Sequence, residues 1–147
     1  MTNSRYNFLV ELIVALFILL FTYTSVSKLL HIDNFIHTLG KSPLFATWAG
    51  FTAWSVVFGE WLIALLLLYH PLRLLGLYAS LILMSLFTIY IGYMISFSDR
   101  LPCSCGGILQ QLSWKNHFLL NIFLTLLAVC GIYYEHKKLN QKQALIM

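Results

Sequence analysis

Charged side chains are scarce in this sequence, and their scarcity decides the class of protein. Of its 147 residues only 10% are charged, whereas 60% are hydrophobic. A soluble domain carries about 25% charged residues, because water must solvate its surface. This chain has too few for that purpose, so its solvent must be lipid. Its nine basic residues are also scattered, which argues against a nucleic-acid partner.

Proline is also rare, with three residues in the chain, and long apolar runs fill most of the sequence. Four runs reach the roughly 20 residues that one bilayer crossing requires. Only His70 and Pro71 separate the second run from the third, so these two must form an antiparallel hairpin. The sequence predicts one all-α domain over residues 1–147, an integral membrane four-helix bundle. The predicted spans are approximately 8–27, 48–69, 72–94 and 117–134.

The connection between the first two predicted spans has a helical pattern of its own. Leu29, Ile32, Ile36 and Leu39 recur at helical spacing, and Gly40 follows them as a stop. This pattern predicts a short amphipathic helix that lies in the membrane interface.

Basic residues outside the spans indicate the orientation of the chain. Lys137, Lys138 and Lys142 follow the fourth predicted span, and Arg5 and Arg73 fall on the same side. Such residues mark the cytoplasmic face. Both termini are therefore expected in the cytoplasm, with the loop between the third and fourth helices outside it.

Cysteine is the third scarce residue, yet two of the three cysteines are one residue apart in this loop. They are Cys103 and Cys105, in Leu101-Pro-Cys-Ser-Cys-Gly-Gly-Ile108. Outside the cytoplasm such a pair can persist as a disulfide. So small a ring removes little unfolded-state entropy, and strained, exposed disulfides tend to be labile. The spacing therefore favours a redox-active dithiol over a structural link.

Two other interpretations of the pair stay open. With His117 the cysteines could bind a metal, but zinc and iron–sulfur sites use four ligands at other spacings. No metal is predicted for that reason. Alternatively, the thiols only shape a loop. Cys130, in the fourth span, is expected to be a small apolar packing residue.

Glu60 lies near the middle of the second span, where an ionisable group is energetically expensive. One hypothesis makes it a proton acceptor coupled to electron transfer, with Lys28 reaching towards it from the end of the first span. The other makes it a protonated carboxyl hydrogen-bonded to hydroxyls such as those of Ser80, Thr88 or Tyr23. Both hypotheses stay open at the level of sequence.

Small residues on the second and third spans are expected to allow close approach of helices. They include Gly50 and Gly59 on the second span and Gly76 on the third. Glu11 is expected to reach only headgroup water. A quinone could stack against the aromatic side chains, but aromatic content alone does not distinguish a quinone site from ordinary packing.

Three stretches together resemble a known superfamily. Tyr23-Thr-Ser-Val-Ser-Lys-Leu-Leu30, and later Phe58-Gly-Glu-Trp61, are similar to the DoxX-like four-helix membrane proteins. With Pro102-Cys-Ser-Cys-Gly-Gly107 between the third and fourth helices, the chain resembles the MauE branch, the redox-associated methylamine-utilisation proteins. The resemblance runs from the first helix through the fourth.

This resemblance implies a role in methylamine metabolism, through periplasmic disulfide formation that matures methylamine dehydrogenase. Cys103 and Cys105 match the family's cysteine pair, and Lys28 and Glu60 match its polar positions. The implied setting is the bacterial inner membrane, with a periplasmic thioredoxin-like or client protein as partner and quinone as a candidate cofactor. The alternative is a non-catalytic assembly factor or a subunit of a larger complex; association with a second copy stays open.

Overall fold

The computed structural model describes residues 2–97 and 113–146, and these are helical throughout most of their length, with no strand among them. A 3₁₀ turn at His70–Leu72 joins the third and fourth α-helices. The α-helices are α1 Thr2–Leu30, α2 Ile32–Gly40, α3 Ala49–Leu68, α4 Arg73–Phe97 and α5 Trp114–Ile146.

Four of these helices, α1, α3, α4 and α5, are long and apolar enough to cross a membrane. This confirms the predicted all-α protein with four spanning helices. Helix α3 lies within its predicted span, whereas α1, α4 and α5 run past theirs, most of all α5, which continues past residue 134 to Ile146. Lys137, Lys138 and Lys142 therefore lie on α5 and not, as expected, beyond it.

The four long helices form a ring in which α1 packs on α3 and α5, and α4 packs on the same two helices. The bundle has two ends. We call the end that holds α2, the last turn of α4 and the first turn of α5 the loop end, and the end that holds the 3₁₀ turn the terminal end. The short turn at Pro71 fits the antiparallel pairing expected of α3 and α4.

Buried side chains on each long helix recur every three or four residues. On α1 they include Val10, Val14, Phe17 and Phe21, all almost fully buried. Such alternating steps of three and four residues average close to the 3.6 residues of one helical turn, so one face of the helix stays against its neighbours. We call this inward-facing row of residues the seam of a helix.

The outward faces of the helices are apolar too. Leu19, Phe58, Ile82 and Leu119 are among the exposed hydrophobic side chains that cover the bundle. A soluble protein rarely exposes so continuous an apolar surface, so this surface indicates contact with lipid. Cys130 is exposed on α5; the expectation that it packs inside the protein is wrong.

Helix α2 lies against the loop end of the bundle. Leu39 is buried with Ala49 and Ala53 of α3, and Phe35 and Ile36 pack against this cluster. The helical spacing seen in the sequence therefore corresponds to a helix with one buried face. Its location in the membrane interface stays a prediction.

Close helix contact occurs at Gly76 but not at the other two glycines named above. A Cβ atom built on Gly76 would lie 2.9 Å from Leu67 Cδ2 and 3.0 Å from the backbone nitrogen of Leu67. Nothing lies within 4 Å of such an atom at Gly50 or Gly59. The packing role predicted for those two is wrong within the described chain, because a small residue narrows a helix without fixing which face meets a neighbour.

Candidate functional site

An ion pair lies inside the bundle between α1 and α3. Lys28 Nζ donates a hydrogen bond to Glu60 Oε1 across 2.5 Å. The side chains of Lys28 and Glu60 are 7% and 1% exposed, so neither group reaches solvent or lipid. The structure therefore brings together Glu60, which the sequence singled out within the second span, and Lys28, which it singled out at the end of the first.

The seams explain why both groups are buried. Continuing the α1 row from Phe21 by three and then four residues gives Thr24 and Lys28, which are buried like the apolar residues before them. On α3 the row of Ala53 and Val57 continues to Glu60. Each ionisable residue occupies an inward position of its own helix, and the packing of α1 on α3 makes them partners.

Aromatic rings enclose the ammonium group of Lys28. Its Nζ lies 5.8 Å from the ring centre of Phe35 on α2 and 5.6 Å from that of Phe87 on α4. A cation within about 6 Å of a ring centre is attracted to the ring face. Lys28 thus interacts with three other helices at once.

The carboxylate of Glu60 is only half satisfied. Its second oxygen, Oε2, is buried and accepts no hydrogen bond among the described residues. The hydroxyl of Thr24 lies close to the carboxylate but donates to the carbonyl oxygen of Phe21 in its own helix. Ser80 and Thr88, which the sequence offered as partners, instead donate to the carbonyl oxygens of Gly76 and Met84 in their own helix. The described structure favours the hypothesis that pairs Glu60 with Lys28.

A cavity of about 560 Å³ adjoins this ion pair on the loop side. Its lining is almost wholly apolar, and includes aromatic rings from α2, α4 and the connection before α3. Leu44, Leu86 and Ile89 line it and are also exposed on the outer surface, so the cavity borders the lipid. Lys28 and Glu60 are its charged groups among the described residues.

His117 and Asn121 of α5 also line the cavity. The sequence placed His117 near the start of a span, as an interfacial residue, whereas α5 begins earlier, at Trp114, and turns His117 inwards. Asn121, which is buried and donates to the carbonyl oxygen of His117, was missed altogether. The sequence did contain a signal for Asn121, because it precedes Leu124 and Ala128 at the spacing of the α5 seam.

A second polar cluster lies at the terminal end and was also missed. Arg73 is buried and donates to Glu11 Oε1 across 2.6 Å, and Lys138 lies 3.9 Å from the same oxygen. Lys138 is equally near Glu135 Oε2, a buried oxygen without a hydrogen-bond partner in the described chain. Glu11 is half-exposed, but it is an ion-pair partner and does not merely contact headgroup water as expected.

The two cysteines of the predicted redox pair, Cys103 and Cys105, lie outside the described residues. The segment that carries them follows Phe97, where α4 ends, and precedes α5. Both of these helix ends belong to the loop end, where the cavity is. Across residues 2–97 and 113–146, no three His, Cys, Asp or Glu side chains come together as metal ligands.

These features define a multi-pass, all-helical membrane protein with an ion pair buried beside a cavity that borders lipid. The sequence model of the family described as "Methylamine utilisation protein MauE" matches residues 6–134. The chain therefore belongs to this family, as the resemblance indicated, and membership implies a role in methylamine utilisation. No curated protein and no solved structure matches the chain.

Proposed function

We propose that this protein is a membrane thiol–disulfide redox protein that aids disulfide formation in periplasmic client proteins. Its clients within methylamine metabolism would be subunits of methylamine dehydrogenase. One observation supports the proposal most directly. Helix α4 ends, and α5 begins, at the loop end of the bundle, where Lys28 and Glu60 border the cavity, and Cys103 and Cys105 lie between these two helices in the sequence.

The proposed chemistry is two successive two-electron steps. A client thiolate attacks the Cys103–Cys105 disulfide and forms a mixed disulfide, with the other cysteine released as a thiolate. A second client thiolate then attacks the client sulfur of this mixed disulfide and displaces the protein's cysteine thiolate. The client leaves with a disulfide and the protein keeps two thiols. A quinone then accepts two electrons and two protons from these thiols, so that the disulfide is restored and a quinol is formed.

Glu60 and Lys28 are proposed to serve the second step. A carboxylate beside the cavity can take up and release a proton as thiols are oxidised, and an adjacent ammonium stabilises its charged form. Neither group can exchange protons with bulk water directly, since both are buried. In this role the protons released by the thiols would pass through Glu60 inside the bundle.

The proposed location is the bacterial inner membrane, with both termini in the cytoplasm. Lys137, Lys138 and Lys142 support this orientation, because they project from the terminal end of α5. The loop end, and with it the cysteine segment, would then face the periplasm. There it would meet a thioredoxin-like partner or the client itself.

Trapping of mixed disulfides tests this proposal. Single variants Cys103→Ser and Cys105→Ser should each be tested for a covalent adduct with a periplasmic protein on non-reducing gels. One of the two should accumulate the adduct, because the resolving thiol is gone, and the double variant should form none. Cys130→Ser is the matched control and should behave as the parent protein, since Cys130 lies on the exposed face of α5. If the double variant matures methylamine dehydrogenase normally, the redox proposal is wrong.

A second candidate function is a non-catalytic assembly factor that holds other membrane proteins through its helices. The exposed apolar side chains of the bundle are compatible with such contacts. This alternative predicts that the double cysteine variant complements fully, whereas a change in helix packing such as Gly76→Ala does not.

A further inference from the structure

We infer that the cavity beside Lys28 and Glu60 binds a quinol, and that it binds the reduced quinol more tightly than the oxidised quinone. The inference rests on the proposed function for its physiological meaning, but the binding itself follows from the described residues alone. It adds to the proposed function the place where the ring of the membrane carrier would lie and the redox state of the carrier that the site prefers.

The size and surroundings of the cavity indicate a small lipid-soluble ligand. Its volume, about 560 Å³, lies within the range of roughly 300–1,000 Å³ that small-molecule sites occupy. Leu86 and Ile89 belong both to its lining and to the lipid-facing surface. A ligand dissolved in the bilayer can therefore reach it without crossing water.

The charges in the wall favour a neutral ligand. Lys28 and Glu60 balance each other, so an anionic or cationic head would introduce a charge without a partner into a buried site. Phosphate, carboxylate and ammonium head groups are disfavoured for this reason. The ligand must instead offer polar atoms that carry no net charge.

The hydrogen-bonding groups of Lys28 and Glu60 limit further which neutral ligands can bind. Glu60 Oε2 is an acceptor without a partner among the described residues, so a ligand that satisfies it must bring a donor. Lys28 Nζ carries three donors, and only one is directed to Glu60 Oε1. A hydroxyl can donate to Glu60 and accept from Lys28 at the same time.

The aromatic lining selects for a ring. Phe35 and Phe87 line the cavity beside Lys28, and Phe45 also belongs to its lining, with its ring centre 5.5 Å from that of Tyr90. Flat aromatic molecules stack on such surfaces. A quinol combines a flat ring, hydroxyl groups, an apolar tail and no net charge, whereas a quinone lacks the donor that Glu60 Oε2 requires.

Calorimetric titration of the purified full-length chain in dodecyl maltoside tests the inference, with decylubiquinol and decylubiquinone as probes and micelles alone as the blank. The protein carries Cys103→Ser and Cys105→Ser, so no thiol reaction contributes. We expect saturable binding of the quinol, roughly tenfold tighter than that of the quinone, the size of one hydrogen bond to a charged group. Absence of saturable quinol binding overturns the inference.

Two variants locate the ligand. Val56→Phe places a ring in the cavity and should weaken quinol binding by at least about tenfold. Leu62→Phe, on the lipid-facing side of the same helix, is the matched control and should bind as the parent does. Equal binding by both folded variants would place the ligand elsewhere and overturn the inference. Should Val56→Phe fail to fold, Thr52→Leu, a smaller change in the same wall, takes its place.

A third variant tests the chemistry of recognition. In Glu60→Gln the amide supplies a donor to a quinone carbonyl, so the preference for quinol should disappear or reverse. Lys28→Met combined with Glu60→Gln removes both charges and serves if the single variant does not fold; it too should lose the preference. An unchanged preference, or equally tight binding of 1-decanol, overturns the inference.

The outcomes separate this inference from the proposed function. Binding is measured without the cysteines, whereas the redox proposal depends on them. If the quinol binds as expected but the double cysteine variant still matures its client, the inference stands and the redox proposal fails. If mixed disulfides form but no quinol binds, the reverse holds.

Discussion

Lys28 Nζ and Glu60 Oε1 lie 2.5 Å apart in the interior of the bundle and join α1 to α3. The pair occupies seam positions, so neither side chain can turn outwards without unpacking its helix. One oxygen of the carboxylate remains without a partner in the described part of the chain. A pair built only for stability would be expected to satisfy both oxygens, which is why we connect it with the cavity.

Removing one member of this pair should destabilise the protein strongly. Glu60→Gln or Lys28→Met leaves the other charge buried without its partner, which costs about 3–5 kcal/mol. The double variant leaves no charge and should be clearly more stable than the sum of the single effects indicates. Unfolding in mixed micelles of dodecyl maltoside and sodium dodecyl sulfate, arranged as a double-mutant cycle, measures the coupling. Additive effects of the two substitutions would show that Lys28 and Glu60 do not interact.

The sequence predicted the spanning helices because length and hydrophobicity are local properties. It did not predict how far α5 extends, since the residues after 134 are polar and leave no hydropathy signal once the helix has left the apolar run. Glu60 was recognised as a candidate from its depth in the second span, and Lys28 from its position at the end of the first span, within reach of Glu60. Their inward orientation was also available from sequence, because each continues a row of buried positions at intervals of three or four residues.

The remaining parts of the site depend on contacts between distant helices. Arg73 and Glu11 are 62 residues apart, and each alone is typical of a span end. Only the packing of the bundle brings them together. The same reason explains the error at Gly59, where a small residue on α3 faces no neighbour, while Gly76 on α4 meets the backbone of Leu67.

These two glycines provide a matched pair of substitutions. Gly76→Ala forces its new Cβ against Leu67, and the backbone there cannot move aside easily, so we expect a loss of about 1–3 kcal/mol. Gly59→Ala meets nothing within 4 Å and gains helix propensity of up to about 1 kcal/mol. Thermal unfolding monitored by circular dichroism compares them. Equal destabilisation by both would contradict the packing of α3 on α4 described above.

The ion pair at the terminal end should contribute less than the one inside the bundle. Glu11→Gln weakens the contact with Arg73, but Glu11 is 51% exposed, so water and headgroups partly compensate the guanidinium. We expect a loss of about 1 kcal/mol, within the range of hydrogen bonds to charged groups near a surface. The same unfolding assay in mixed micelles measures it. Lys142→Gln, at an exposed position of α5 without an ion pair in the described structure, is the control and should change nothing measurable. A loss as large as that of Glu60→Gln would mean that Glu11 is more deeply buried in the membrane-embedded protein.

Cysteine labelling distinguishes the two ends of the protein. Cys130 is exposed on α5 within a span, so in a bilayer lipid should cover it, and a charged, membrane-impermeant maleimide should not react with it. Cys103 and Cys105 are expected to react in intact spheroplasts after reduction, because the proposed orientation directs their segment to the periplasm. Single-cysteine variants and a mass-shift assay on gels measure each thiol separately, with detergent-solubilised protein as the reference for full labelling.

Reaction of Cys103 and Cys105 only after the bilayer has been opened would reverse the orientation and remove the redox proposal. Rapid reaction of Cys130 in intact cells would contradict the placement of that face of α5 in lipid.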